Sequence, residues 1–220
     1  MKEINRYIDH TLLKPNATKQ QILDLCQEAR NYNFATVCLN PTWVELAAKE
    51  LKGSNTGICT VIGFPLGAGL AKVKAFEASE AIKQGATEID MVLNIGALID
   101  GNTTLAEEDI SAVVKASGET PVKVIFETCL LTDDQIKTAC ELSEKAGAKF
   151  VKTSTGFSDG GATLEHVQLM KNSISKSVLV KASGGIRDLE TAIAMVEAGA
   201  SRLGTSSGVK IMNGEKGSGY

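Results

Sequence analysis

The chain has 220 residues, enough for one sizeable core or one α/β barrel. Its 43% hydrophobic and 22% charged residues are ordinary for a soluble globular protein, and its formal net charge of −3 leaves no basic surplus to neutralise phosphates of a nucleic acid. No apolar run approaches the roughly 20 residues of a membrane span, and the polar stretch from Met1 to His10 lacks the apolar region of a secretory signal, so the cytoplasm is the expected location.

In chain order, Ile8-Asp9-His10-Thr11 reads as a short strand closed by Lys14-Pro15-Asn16. Thr18 with Gln21 forms a capping box, and Ile22, Leu25, Cys26 and Ala29 follow at helical spacing. A strand over 34–39 is rich in β-formers, and Pro41 opens a helix running to about residue 51. A nearly continuous apolar strand over 57–64 meets Pro65, and a glycine-rich connection over 67–69 leads into a helix to about residue 84. The next strand, over 88–94, carries Asp90, a residue type depleted in strands. A helix over 105–116 and a strand over 121–127 follow. Thr132 and Gln135 form a second capping box ahead of Ile136, Ala139, Cys140 and Ser143.

The third part of the chain repeats one form twice. Lys149-Phe150-Val151-Lys152-Thr153-Ser154-Thr155-Gly156 and Val178-Leu179-Val180-Lys181-Ala182-Ser183-Gly184-Gly185 each place one lysine in an apolar strand ahead of a hydroxyl residue and a glycine turn. A helix over 164–171 separates them; Asp188 caps the next helix, and a last strand over 202–205 passes into Ser206-Ser207-Gly208. From about residue 213 the chain is rich in glycine and serine, reads as a flexible tail, and ends in Tyr220.

About eight strands thus alternate with about eight helices, and Gly-Ala recurs at the helix-to-strand junctions Gly85-Ala86, Gly147-Ala148 and Gly199-Ala200. This predicts a parallel sheet closed into a single-domain (β/α)8 TIM barrel; an open doubly wound sheet is the alternative, disfavoured because no G-x-G-x-x-G follows the first strand.

Barrels of this kind place chemistry at the C-terminal ends of the strands. Lys152 and Lys181, if both face inward, lie on neighbouring strands, where mutual repulsion and desolvation would keep one amine neutral, as a Schiff-base nucleophile requires. The competing reading has them snorkelling to solvent at the rim. Asp90 is either their ion-pair partner or a proton carrier. Glycine-rich strand ends at Thr155-Gly156, Gly184-Gly185 and Gly204-Thr205-Ser206-Ser207 suit an anion, with Arg187 as an accessory cation. His10 and His166 lack ligand spacing, so no metal is expected. The five cysteines form no C-x-x-C pair and read as small core residues, and Trp43 reads as packing.

Val151-Lys152-Thr153-Ser154-Thr155-Gly156, Val180-Lys181-Ala182-Ser183-Gly184-Gly185-Ile186-Arg187 and Glu88-Ile89-Asp90 closely resemble the motifs of the deoxyribose-phosphate aldolase family, and the similarity runs from Ile8-Asp9-His10-Thr11 to the C-terminus. The resemblance implies a (β/α)8 barrel and a metal-independent Schiff-base aldolase without cofactor. Lys152 would form the imine, Lys181 would depress the Lys152 pKa and relay protons with Asp90, and Tyr220 would assist enamine protonation. Gly156, Gly184, Gly185, Ser206 and Ser207 would line the phosphate site, while Asp9, Thr11, Cys38 and Thr155 match positions near the substrate. Where some members carry lysine beside the phosphate this chain has Phe157, which shifts the load to backbone N–H groups and Arg187. The expected partners are a small-molecule sugar phosphate and further copies of the chain, as a homodimer or homotetramer, with neither nucleic acid nor membrane. A different Schiff-base aldolase and a non-catalytic sugar-phosphate binder are the rival readings.

Overall fold

The structure, a computed structural model, describes residues 4–217. Eight parallel strands close into a barrel in sequence order. They are β1 (Ile8–Leu12), β2 (Thr36–Leu39), β3 (Gly57–Ile62), β4 (Glu88–Val92), β5 (Val122–Ile125), β6 (Phe150–Lys152), β7 (Leu179–Ser183) and β8 (Ala200–Thr205). Pairing of Ile8, Asp9 and His10 with Leu203, Gly204 and Thr205 closes the ring between β1 and β8. The open-sheet alternative is thereby excluded.

The helices of the outer layer are α1 (Lys19–Asn31), α2 (Val44–Glu50), α3 (Ala71–Lys83), α4 (Ile95–Ile99), α5 (Thr103–Ser117), α6 (Asp133–Lys145), α7 (Leu164–Asn172), α8 (Leu189–Glu197) and α9 (Gly208–Met212). Both predicted capping boxes form, at Thr18/Gln21 and Thr132/Gln135. Pro41 starts a 3-10 turn that runs into α2. Two five-residue helices, α4 and α9, are additions to the sequence reading, each too short to show a periodic face. Asn94, expected at the end of a strand, instead caps α4 by accepting from the Ala97 amide at 3.1 Å. The third strand stops at Ile62 because Gly63 turns to φ +62°, and the fifth stops at Ile125 before Glu127 adopts φ +56°. Among the described residues no helix is long and apolar enough to cross a membrane.

Alternation along the strands sorts side chains into two environments. Outward residues, among them Ile8, Val37, Ile89, Met91, Val124, Val151, Val180 and Leu203, join the helices in one large apolar core. Inward residues form only a small apolar cluster, Leu13, Cys38, Cys59 and Val61. Beside it are buried the charged residues Asp9, Asp90, Lys123, Lys152 and Lys181. Trp43 packs against the outer core, as expected, and Cys26 and Cys140 are buried there, whereas Cys129 is exposed.

Among the described residues, one ion pair with both side chains buried lies outside the barrel proper. Lys74 of α3 and Asp109 of α5 meet at 2.7 Å with side chains 1% exposed, and the Lys74 ammonium also donates to the Val92 carbonyl at 2.9 Å. The pair therefore joins two helices to the C-terminal end of β4. Removing one partner of a buried pair strands the other charge. Lys74→Met is expected to destabilise the fold by about 3–5 kcal/mol, and Lys74→Met/Asp109→Leu to recover most of that loss, both read from urea unfolding.

Candidate active site

The parallel register brings the charged interior together. Asp90 on β4 lies level with Lys123 on β5, and Lys152 on β6 lies level with Lys181 on β7, which in turn pairs with Arg202 on β8. Asp90 is fully buried and accepts on both oxygens. Its Oδ1 takes a bond from Lys123 Nζ at 2.7 Å and from the Cys59 thiol at 3.0 Å. Its Oδ2 takes bonds from Lys152 Nζ and Lys181 Nζ, each at 2.8 Å. Lys181 also reaches Asp9 at 2.5 Å, and Arg202 bridges Asp9 and Glu88 at 2.8 Å each. Lys123 completes the set by contacting Glu88 at 2.6 Å. Neither lysine snorkels: Lys152 is 3% exposed and Lys181 is fully buried.

Electrostatics follow from this geometry. Burial alone would raise the Asp90 carboxyl, but Lys123, Lys152 and Lys181 overcome it and hold the group well below the usual carboxylate range. Asp9 is lowered in the same way, burial being outweighed by Lys181, Arg202 and Lys123. Burial opposes the charge on Lys181, yet Asp9 and Asp90 push its pKa above the ordinary lysine value. Of the two lysines predicted to share the site, Lys181 is thus the fixed cation. It has two carboxylate partners, whereas Lys152 has Asp90 alone among the described residues.

A pocket opens over Lys152 at the C-terminal ends of the strands. Thr11, Leu13, Lys152, Thr155 and Ser183 line its inner part, and the turns at Gly156, Gly184, Gly185, Gly204, Thr205 and Ser206 form its rim. Gly184 and Gly185 both hold positive φ, at 85° and 82°, a conformation that turns successive backbone amides to one side. Gly204 is required for a different reason. A Cβ there would come within 3.1 Å of the Lys181 stem and 2.9 Å of Ser183, so any side chain would displace the interior lysine. Hydroxyls tie the rim together: Ser183 Oγ donates to the Ser154 carbonyl at 2.6 Å, and Thr205 Oγ1 donates to the Ile186 carbonyl at 2.7 Å.

The structure places the other predicted residues as follows. Asp9 and Cys38 are fully buried below the pocket and are absent from its lining. Ser207 is buried immediately behind Ser206 at the start of α9. Arg187 is exposed and does not line the pocket. Phe157 makes an edge-to-face contact with Phe64, centroids 5.2 Å apart, beside the mouth. Tyr220 lies outside the described residues. Within the predicted tail, Tyr32 donates to the Asn213 side chain at 3.1 Å, and the Gly217 amide donates to the Arg187 carbonyl at 2.7 Å.

Sequence reasoning missed Lys123, Glu88, Arg202 and Glu127. Lys123 interrupts Val122-Lys123-Val124-Ile125 as Lys152 and Lys181 interrupt their strands, so the same signal was present. Glu127 is 3% exposed and accepts from both the amide and the hydroxyl of Thr155, and so fixes the loop that follows Lys152. Nothing in the sequence announces its left-handed backbone.

A closed barrel that presents a buried amine, held by a carboxylate, to a glycine-rimmed pocket defines a (β/α)8-barrel enzyme, and its relatives make that enzyme an aldolase. The chain belongs to the DeoC/LacD family of aldolases, whose family model matches residues 4–214. It is 62% identical over 217 residues to a deoxyribose-phosphate aldolase of Streptococcus gordonii, covering 99% of each chain. It is 58% identical over 219 residues to one from Brevibacillus brevis, again covering 99% of each. Among solved structures it superposes with a TM-score of 0.88, at 34% identity, on a deoxyribose phosphate aldolase from Aeropyrum pernix described as having a unique tetrameric structure; the match covers 96% of this chain and 89% of that one.

The interior charges dictate a pH response. Asp9 and Asp90 are depressed in the folded state, so their stabilisation is complete above the unfolded value of about 3.9 and is lost as pH falls below it. Lys123 and Lys181 are raised, so their stabilisation is complete below about 10.4 and is lost as pH rises further. Melting followed by circular dichroism is expected to show a plateau from about pH 5 to 9 and a steep fall below about pH 4, with a lower plateau and a shallower acid limb in Asp9→Asn.

Proposed function

We propose that the chain catalyses the reversible retro-aldol cleavage of 2-deoxy-D-ribose 5-phosphate to D-glyceraldehyde 3-phosphate and acetaldehyde through a Schiff base on Lys152. The observation that carries this reading is the pair of bonds from Lys152 and Lys181 to one oxygen of Asp90, directly under the pocket. Four cations, Lys123, Lys152, Lys181 and Arg202, face three carboxylates, Asp9, Glu88 and Asp90. Loss of one proton makes this interior neutral. Lys152 can give up that proton without leaving a carboxylate unpaired, because Lys123 and Lys181 remain on Asp90.

Neutral Lys152 attacks C1 of the open-chain aldehyde, and water leaves to give the protonated imine. A water held by the Lys181 ammonium passes the proton of the C3 hydroxyl to Asp90. The C2–C3 bond breaks, and its electron pair moves into the iminium to give the enamine. Glyceraldehyde 3-phosphate departs, the enamine is protonated at C2, and hydrolysis frees acetaldehyde and Lys152. The amides at Gly184 and Gly185, with Gly156, Gly204 and Ser206, suit the phosphate; with Phe157 at the mouth, backbone donors carry this load. Tyr220, which lies outside the described residues, is assigned the protonation of the enamine on the family resemblance alone. The reading also includes a cytoplasmic role in deoxyribonucleotide breakdown and assembly as a homodimer or homotetramer.

Borohydride added with deoxyribose 5-phosphate is expected to fix a reduced adduct on Lys152, located by peptide mapping; an adduct on another lysine, or full activity in Lys152→Ala, would refute the assignment. Asp90→Asn is expected to lower kcat by about 10²–10⁴-fold, measured by coupled assay of glyceraldehyde 3-phosphate. Treatment with chelator is expected to leave the rate unchanged, and a chelator-sensitive rate would point to a metal-dependent mechanism.

A further inference from the structure

Cys38 and Cys59 take no covalent part in the chemistry above, yet they occupy its foundation. They are direct cross-strand partners on β2 and β3, both point into the barrel, and both are fully buried. Burial with a single apolar cluster would suffice to explain one cysteine. Two of them side by side, with Asp90 as third neighbour, are a different chemical object. The sulfurs of Cys38 and Cys59 and a carboxylate oxygen of Asp90 all lie within 4.8 Å of one another. The Cys59 thiol already hydrogen-bonds to Asp90 Oδ1 at 3.0 Å. We propose that Cys38, Cys59 and Asp90 form a binding site for a thiophilic divalent cation of the Zn²⁺ or Cd²⁺ type, and that its occupancy switches the Lys152 centre off.

The donor set suits such an ion. Bonds of about 2.3 Å to sulfur and about 2.1 Å to a carboxylate oxygen let one ion span ligands about 4 Å apart. Two thiolates and one carboxylate are also the softness that separates Zn²⁺ and Cd²⁺ from Mg²⁺ or Ca²⁺, which seek oxygen alone. Lys123 Nζ donates to Cys59 Sγ at 3.3 Å and to Asp90 Oδ1 at 2.7 Å, so the ion enters by displacing that ammonium from both ligands, while the total charge is conserved. Each thiol releases a proton as its sulfur binds, so two protons leave as one dication enters, and the interior keeps the charge it had. The thiols are already unequal: hydrogen bonding with Cys59 and the nearby Lys181 and Lys152 bring the Cys38 thiol below its ordinary value against burial. Burial, the Cys38 hydrogen bond and Asp90 instead hold the Cys59 thiol well above its own, so that thiol loses its proton only to the ion itself. Access runs through the pocket, since Leu13 both lines it and packs in one cluster with the two cysteines.

The consequence falls on Asp90. Its Oδ1 would exchange the Cys59 thiol and the Lys123 ammonium for a metal bond, and a carboxylate bound to a dication is a weaker acceptor toward Lys152 and Lys181. The site is inhibitory and is not a cofactor site, so the metal-independent reaction stands unchanged. This last step rests on the Lys152 mechanism proposed above; the metal site itself does not.

The test uses the full chain carrying Cys129→Ser, which removes the exposed thiol, kept reduced and freed of metal by chelator. Titration with Cd²⁺ is followed by the thiolate-to-cadmium charge-transfer absorption in the ultraviolet and by proton release. The expected result is a band that saturates at one ion per chain with release of about two protons, and a retro-aldol rate that falls by about 10²-fold in step with it and returns on adding chelator. Adding Cys59→Ser, which keeps a hydroxyl donor for Asp90, is expected to abolish the one-equivalent band and make the variant's own rate insensitive to Cd²⁺. Cys59→Ala serves as the second variant, with melting curves to confirm folding. Absence of a saturable band, or an equal band in the Cys59 variants, overturns the metal site. A band without loss of rate overturns only the switch, and a chain with no retro-aldol activity at all tests the site by absorbance alone.

Discussion

Everything at the centre of this barrel depends on one buried carboxylate. Asp90 receives three ammonium groups and a thiol on its two oxygens, with no exposure to solvent. A lone carboxylate in that position would be neutral or would break the fold. The three lysines keep it ionised, and it in turn keeps three buried amines within reach of one another. Remove Asp90 and the interior holds mutually repelling cations; remove the lysines and it holds an unsatisfied acid. Structure and reactivity are therefore the same interaction seen from two sides. Asp90 and the three lysines are positioned by strand backbone and not by loops, which fixes their geometry before any ligand arrives.

The division of labour between the lysines follows from how many carboxylates each one meets. Lys123 and Lys181 each contact two at close range and serve as permanent positive charge. Lys152 meets Asp90 and the pocket. The sequence shows two similar lysines on neighbouring strands; only the register reveals that one of them is held on both sides by acid.

Much of the fold was legible because it rests on local rules. Strand and helix alternation, the capping boxes at Thr18 and Thr132, and the Gly-Ala helix ends read directly from the chain. Lys152, Lys181 and Asp90 were legible as polar residues in apolar strands. Lys123 has the same signature but no hydroxyl and glycine after it, so a search tuned to the repeated motif passes over it. Glu88 and Arg202 sit near strand starts, where charge is normally solvated, and only barrel closure buries their contacts with Asp9 and Lys123. The proximity of Cys38 and Cys59 depends on a cross-strand register that single-sequence periodicity does not contain. The left-handed Glu127 and the five-residue α4 and α9 are set by tertiary contacts and leave no pattern to read.

The order of the interior charges along the chain has its own consequence. Asp9, Glu88 and Asp90 all belong to the first four strands, and Lys123, Lys152, Lys181 and Arg202 all belong to the last four. The barrel is thus two half-shells of opposite sign, joined along the β4–β5 and β8–β1 seams. Neither half can bury its lining alone, since each would enclose like charges with nothing to answer them. Each is, however, the natural counter-ion of the other. Such a molecule resists folding by halves, and two separately made halves would be driven together by the same attraction that later holds the buried amines in place.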